Sequence, residues 1–337
     1  MIRSDELIYR GGAVLARRLP RTIGAGLTRF VSNSAYRVLP ERRFITERRL
    51  RRVYGSEVSG AELAAMGRAS FGSYARYWYD GARICNLADT EIEAGFGVEG
   101  FEHIQAALET GVAPILALPH LGGWEWAGAW MARIAGYPVI SVVEPPTNRR
   151  LFEWMVTQRQ RLGIDILPLG ADAATALIKS VRSGQVVCLL SDRQVGSGGV
   201  EVEFFGEKTL LPAGPAAIAL RTGAALLPTA VYQHPSHPQT QHRAGRYSLT
   251  RHRARGHRAR GHRARGHRAV VLPPVAAQRE GRLRADVARV TQDLARCLEQ
   301  LILVAPEQWH LMQPNWPSDH QAVEQFRKQR RKSRQRP

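Results

Sequence analysis

An α/β fold, with a mostly parallel central sheet flanked by helices in a single domain, is predicted by three features of the chain. Short, nearly continuous apolar runs recur from residue 113 onward, as expected of strands buried on both faces. Amphipathic segments at helical spacing separate those runs, and glycine or proline marks most of the passages between them. A length of 337 residues with 44% hydrophobic content is enough for a sizeable core.

The first segment, 1–52, reads as amphipathic helices, with breaks expected at Gly11-Gly12 and at Pro20. After Pro20, Ile23, Leu27, Phe30 and Val31 share one helical face, with Arg10, Arg17, Arg18, Arg21 and Arg29 around them. Such a basic amphipathic helix either lies in the headgroup layer of an anionic bilayer or packs on the protein's own core. A charged helix follows at 41–52. The helix expected at 61–82 carries Phe71, Tyr74, Tyr77, Trp78 and Tyr79, an aromatic patch read as core.

Residues 53–316 form the α/β domain. A helix starts near Phe101 and ends near Gly111, and 113–118 is the first clear strand. Strands at 138–143, 164–167 and 185–190 then alternate with helices at 148–162 and 171–183. An alanine-rich helix at 212–222 precedes a strand at 225–231, and Val287, Val290, Leu294, Cys297, Leu298 and Leu301 define a long helix at 284–304. Between the strands expected at 247–250 and 269–272 runs a five-residue Arg/His repeat, 251–268. It puts His252, His257, His262 and His267 on different sides of any helix, so a low-complexity surface loop is favoured over a metal cluster. The segment 317–337 is expected to be a basic tail, disordered over 328–336 and able to touch anionic lipid.

Chemistry is concentrated in LALPHLGGWEWAGAW. The strand stops at Pro119, leaving His120 at its exit and Glu125 on the first turn of the next helix. Sites in parallel sheets lie beyond the carboxyl ends of strands, which is where His120 falls. An imidazole there can serve as general base near neutral pH, with Glu125 fixing its tautomer. The amides of Gly122 and Gly123 can face a developing oxyanion. The segment after 190, which begins Ser191-Asp192-Arg193, should form a second wall. Within it Glu201 is read either as a positioned acid or as a surface strand residue.

Other classes fit less well. No H-E-x-x-H spacing completes a zinc site around His120, and no metal or cofactor is expected. The glycines of 196–199 make neither a P-loop nor a Rossmann turn, and no G-x-S-x-G elbow is present. Three widely spaced cysteines do not form a disulfide framework, and no apolar run is long enough to span a bilayer. The chain is expected neither to cross a membrane nor to be exported. A net charge of +19 points to an anionic partner: nucleic acid, an anionic membrane or a phosphorylated substrate.

Four stretches together, LALPHLGGWEWAGAW, ISVVEPPTNRRLFEWM, LLSDRQVGSGGVEVEFFGEKTLLPAGPAAIALRTGA and PEQWHLMQPNW, resemble the lipid A biosynthesis acyltransferase superfamily. They are most similar to its actinobacterial branch, the phosphatidylinositol mannoside acyltransferases. The similarity runs from about Val98 to Trp316, outside the Arg/His repeat. It implies a peripheral enzyme on the cytoplasmic face of the plasma membrane that moves a long acyl chain from acyl-CoA to a mannose hydroxyl of a mannosylated phosphatidylinositol. In that scheme His120 deprotonates the hydroxyl, Glu125 orients His120, and attack on the thioester is direct. Glu125 stands where the mannoside branch commonly has Asp. The family's further Arg and Glu map to Arg161, with Arg159 as rival, and to Glu201. The resemblance leaves a lipid A type enzyme with an acyl carrier protein donor as the neighbouring reading. A nucleic-acid function through the Arg/His repeat is the reading from another class, and no nucleic-acid partner is expected.

Overall fold

A computed structural model of the chain describes residues 4–55, 57–196, 198–233 and 266–334. Four helices open it: α1 (Ser4–Arg18), α2 (Arg21–Val38), α3 (Pro40–Tyr54) and α4 (Gly60–Ile84). The break expected at Gly11-Gly12 does not occur, and α1 runs through both glycines. Glycine inside a helix costs only about 1 kcal/mol relative to alanine, and here Ala13 and Ala16 on the same helix are buried. The second break does fall at Pro20, which precedes α2. Ser59 caps α4 in a reciprocal arrangement with Glu62.

The short helix α5 (Asp89–Ala94) and strand β1 (Phe96–Glu99) follow, then α6 (Phe101–Glu109), β2 (Ile115–Leu118), α7 (Trp124–Arg133) and β3 (Val139–Val143). The chain continues through α8 (Arg149–Gln160), β4 (Ile164–Pro168), α9 (Ala173–Arg182) and β5 (Val186–Leu190). A hairpin of β6 (Gly199–Phe204) and β7 (Glu207–Pro212) leads to α10 (Gly214–Thr222), β8 (Leu226–Gln233), β9 (His267–Val271), α11 (Leu283–Val304) and α12 (Pro317–Arg334).

The seven-stranded sheet has the order β1-β9-β8-β2-β5-β3-β4. The run β8-β2-β5-β3-β4 is parallel, whereas β9 pairs antiparallel with β8 and parallel with β1. Strand alternation gives each face its own core. Ile115, Ala117, Val187 and Leu189 pack with Leu177, Ile218, Val290 and Leu298 from α9, α10 and α11. Leu116, Leu118, Val186 and Cys188 pack with Ile104, Trp124 and Met131 on the other face. No described helix is long and apolar enough to cross a membrane.

Two further expectations change. The basic C-terminus is helical through Arg334: Val323 is buried, Phe326 stacks on Phe44 at 4.7 Å, and Arg327 bonds Glu41 at 2.6 Å, so the helix has a face to pack. The Arg/His repeat lies mostly outside the described residues, as does the strand expected at 247–250. Its last His-Arg pair, however, belongs to β9: His267 is buried and stacks on Trp126 at 4.8 Å, and Arg268 pairs with Glu99 at 2.7 Å.

Candidate active site

His120 and Asp192 meet because of strand register. In the β2–β5 pairing Leu118 lies opposite Leu190. Each residue stands two places past that pair, so both leave the sheet side by side at its carboxyl edge. The His120 Nδ1 and Asp192 Oδ1 atoms are 2.7 Å apart. His120 keeps 36% of its side chain exposed while Asp192 is fully buried, so the carboxylate supports the ring from beneath and leaves Nε2 as the accessible nitrogen.

Asp192 is itself held. Its Oδ2 accepts a 2.6 Å bond from the indole N–H of Trp309, and its backbone carbonyl accepts from the Asn315 side chain at 3.1 Å. Burial alone would raise its pKa. The charge and hydrogen bond of His120 and the Trp309 donor overcome that effect and hold the carboxyl below the usual carboxylate range.

Glu125 is placed differently from the expectation. It makes no hydrogen bond to His120. Its Oε1 accepts from the Tyr77 hydroxyl at 2.8 Å and from Arg159 at 3.2 Å, and its buried Oε2 has no partner among the described residues. Burial, and then the neighbouring Glu125, push Tyr77 well above the ordinary phenol value, so Tyr77 stays a donor. Arg159 lies over the Trp124 ring at 5.2 Å. Arg161, two residues on, ends α8 as an exposed residue. Of the two arginines, it is Arg159 that reaches the cavity.

Gly122 lines the cavity, and at both Gly122 and Gly123 packing leaves no room for a Cβ. Gly122 has φ +63°, and a Cβ there would sit 1.6 Å from the Val231 carbonyl oxygen. Its N–H is already donated to the Gln308 carbonyl at 3.1 Å. A Cβ on Gly123 would sit 2.6 Å from His267 Nε2. Glu201 is exposed on the β6–β7 hairpin and pairs with Lys208 at 2.9 Å, outside the cavity wall.

The cavity beside His120 has a volume of about 560 Å³. One part is apolar, lined by Val142, Ala173, Leu177, Leu189, Ala213 and Ile218. Tyr74, Tyr77, Trp78, Trp124 and His310 also line it, together with Arg42, Arg159 and Arg193. Of the aromatic patch read as core, Tyr74, Tyr77 and Trp78 line the cavity, whereas Phe71 is buried in a small apolar cluster with Tyr36 and Met312. Burial lowers the His310 pKa from 6.5 to about 3, so it is neutral, with Nε2 2.9 Å from Ser73 Oγ. Among the described residues no group of three or more His, Cys, Asp or Glu side chains could hold a metal ion.

The sequence alone does not mark Trp309, His310 or Tyr77 as site residues, and it places Asp192 only in a second wall of the site. Its one available signal was the Ser191-Asp192 step straight after a buried strand, which matches Pro119-His120 after β2.

An imidazole with one nitrogen fixed by a buried carboxylate, open to a cavity with apolar and cationic walls, can deprotonate a hydroxyl beside an amphiphilic thioester. The family model of bacterial lipid A biosynthesis acyltransferases matches residues 5–250. The phosphatidylinositol mannoside acyltransferase of Mycobacterium tuberculosis is 32% identical over 256 residues, covering 74% of this chain and 70% of the relative. The protein of the same name from Mycolicibacterium smegmatis is 29% identical over 320 residues, covering 93% and 92%. The chain therefore belongs to the bacterial lipid A biosynthesis acyltransferase family, and the enzyme is an acyltransferase.

Proposed function

We propose that the enzyme transfers a long acyl chain, of palmitoyl type, from acyl-CoA to a mannose hydroxyl of a phosphatidylinositol mannoside. The observation that carries this reading is the His120–Asp192 pair opening onto a cavity with both an apolar and a cationic, aromatic wall. The names of the two relatives above supply the acceptor class.

His120 Nδ1–H donates to Asp192, and Nε2 takes the proton from the acceptor hydroxyl as its oxygen attacks the thioester carbonyl. The tetrahedral intermediate collapses with cleavage of the C–S bond. The leaving thiolate takes the proton back from the imidazolium, so acylated glycolipid and free CoA thiol are the products. Asp192 stabilises the imidazolium formed in between. The apolar part of the cavity takes the acyl chain, while Arg42, Arg159 and Arg193 suit the phosphates of either substrate. Arg159, steadied by Glu125, takes the positioning role that resemblance gave first to Arg161, and Glu201 belongs to the hairpin surface.

The exposed faces of α1 and α2 fit a peripheral enzyme on the cytoplasmic leaflet. Ile23, Phe30 and Val31 are 56%, 70% and 50% exposed. With the surrounding arginines they form a surface suited to an anionic bilayer.

The test is product formation in mixed micelles with palmitoyl-CoA and a mannosylated phosphatidylinositol, followed by mass spectrometry beside folded His120→Ala. Acylated lipid from the wild type alone is expected. Absence of product with this pair, but turnover with an acyl carrier protein donor and a lipid A precursor, would overturn the substrate assignment.

A further inference from the structure

A strap following α11 runs alongside the catalytic strand exit. Trp309 forms an antiparallel bridge with Leu121, the N–H of His310 donates to the His120 carbonyl at 2.7 Å, and the Gly122 N–H donates to the Gln308 carbonyl. The same strap sends the Trp309 indole N–H to Asp192. One short segment thus touches the backbone of the base and the carboxylate that orients it.

The strap is pinned in turn by a buried cation from the N-terminal helices. Arg49 of α3 is 1% exposed and donates to the backbone carbonyls of Pro306, Trp309 and Leu311 and to Ser70 Oγ. Its guanidinium lies 5.3 Å from the centre of the Trp309 ring. Among the described residues no carboxylate bonds it directly, and burial lowers its pKa to about 9. A buried guanidinium spanning three carbonyls of one strap is costly to place, and here it fixes the segment that carries Trp309.

We infer that Trp309 is a positioning residue for acyl transfer, aiming the Asp192 carboxylate at His120 Nδ1, and that Arg49 holds Trp309 in place. This rests on the reading of His120 as base with Asp192 as its partner. The other titratable groups facing Asp192 are His120, Arg49 and His310.

The experiment compares full-length wild type with Trp309→Phe, which keeps an aromatic side chain, smaller than the indole, and removes the N–H, and with Arg49→Lys, which keeps the charge and loses the span. Transfer from palmitoyl-CoA to the mannosylated lipid is followed across pH. In Trp309→Phe, kcat should fall about 10- to 100-fold, the loss typical of one hydrogen bond to a charged group, with KM for both substrates within about twofold. The acid limb of kcat should also move to lower pH, because a carboxylate no longer aimed at Nδ1 stabilises the imidazolium less. Arg49→Lys should show the same shift more weakly.

Unchanged kcat in Trp309→Phe, or a loss with an unmoved acid limb, would overturn the inference. His120→Ala and Asp192→Asn run beside them: if both turn over like wild type, the dyad reading itself has failed. If both are inactive while Trp309→Phe is normal, only the role of Trp309 falls. Should Trp309→Phe not fold, the wild type still decides. Its Trp309 indole proton, followed with isotope-labelled tryptophan, should shift with pH in step with the fall of activity, and a resonance flat across that range overturns the proposal.

Discussion

At the residue scale, Asp192 and His310 make opposite statements about charge. Asp192 is kept ionised against its burial by His120 and Trp309, whereas His310 is kept neutral by its burial. For His310 the folded pKa of about 3 lies below the unfolded value, so between about pH 6.5 and 3 the unfolded chain binds the extra proton. Stability must then fall as pH drops through that window. The depressed Asp192 acts in the same direction, since protonating it forfeits its native partners. Urea unfolding at pH 7 and pH 5 is expected to show this loss, and His310→Gln should flatten it. A His310→Gln variant as acid-sensitive as wild type would show that His310 charges freely in the folded state. Glu125 acts apart from the dyad, holding Arg159 and Tyr77 at the cavity. Glu125→Gln is therefore expected to raise KM more than it lowers kcat. A kcat loss with unchanged KM in steady-state assays would instead tie Glu125 to the chemical step.

At the scale of elements, α9 and α10 wall the apolar part of the cavity. Replacing Ala173 with Phe should fill part of it and favour shorter acyl donors. Displacing two methylenes costs about 1.6 kcal/mol, so palmitoyl-CoA should lose roughly tenfold in kcat/KM relative to octanoyl-CoA; an unchanged ratio would place the chain elsewhere. The exposed stripe of α2 gives another expectation. Phe30→Ser with Ile23→Ser should weaken binding to anionic vesicles by at least about tenfold, since burying one such side chain contributes about 1.5–3 kcal/mol. Equal sedimentation with the vesicles would remove α2 from the membrane contact. These elements were also the part most legible in the sequence. Strand and helix alternate from β2 to β5 as the apolar runs require, because periodicity is local information. The glycines of α1 mislead, since a tolerated cost reads as a break. The C-terminal helix is hidden because the partners of its packed face, Phe44 and Glu41, lie far back in the chain.

For the whole molecule, function follows from the sheet order. β5 sits beside β2 although β3 and β4 intervene in the chain, and only that crossover brings Asp192 against His120. The sequence points to His120 through its strand exit, but it offers the near carboxylate, Glu125, as partner. The actual partner is 72 residues away and becomes visible only once strand adjacency is known. The strap with Trp309 and His310 adds a third remote segment, and α3 a fourth through Arg49. The most direct test of the dyad is kcat for Asp192→Asn set beside Glu125→Gln, with palmitoyl-CoA and the mannosylated lipid. A kcat at least about 100-fold below wild type is expected for Asp192→Asn, with a far smaller kcat change for Glu125→Gln. Wild-type turnover in Asp192→Asn together with collapse in Glu125→Gln would contradict the dyad and return the orienting role to Glu125.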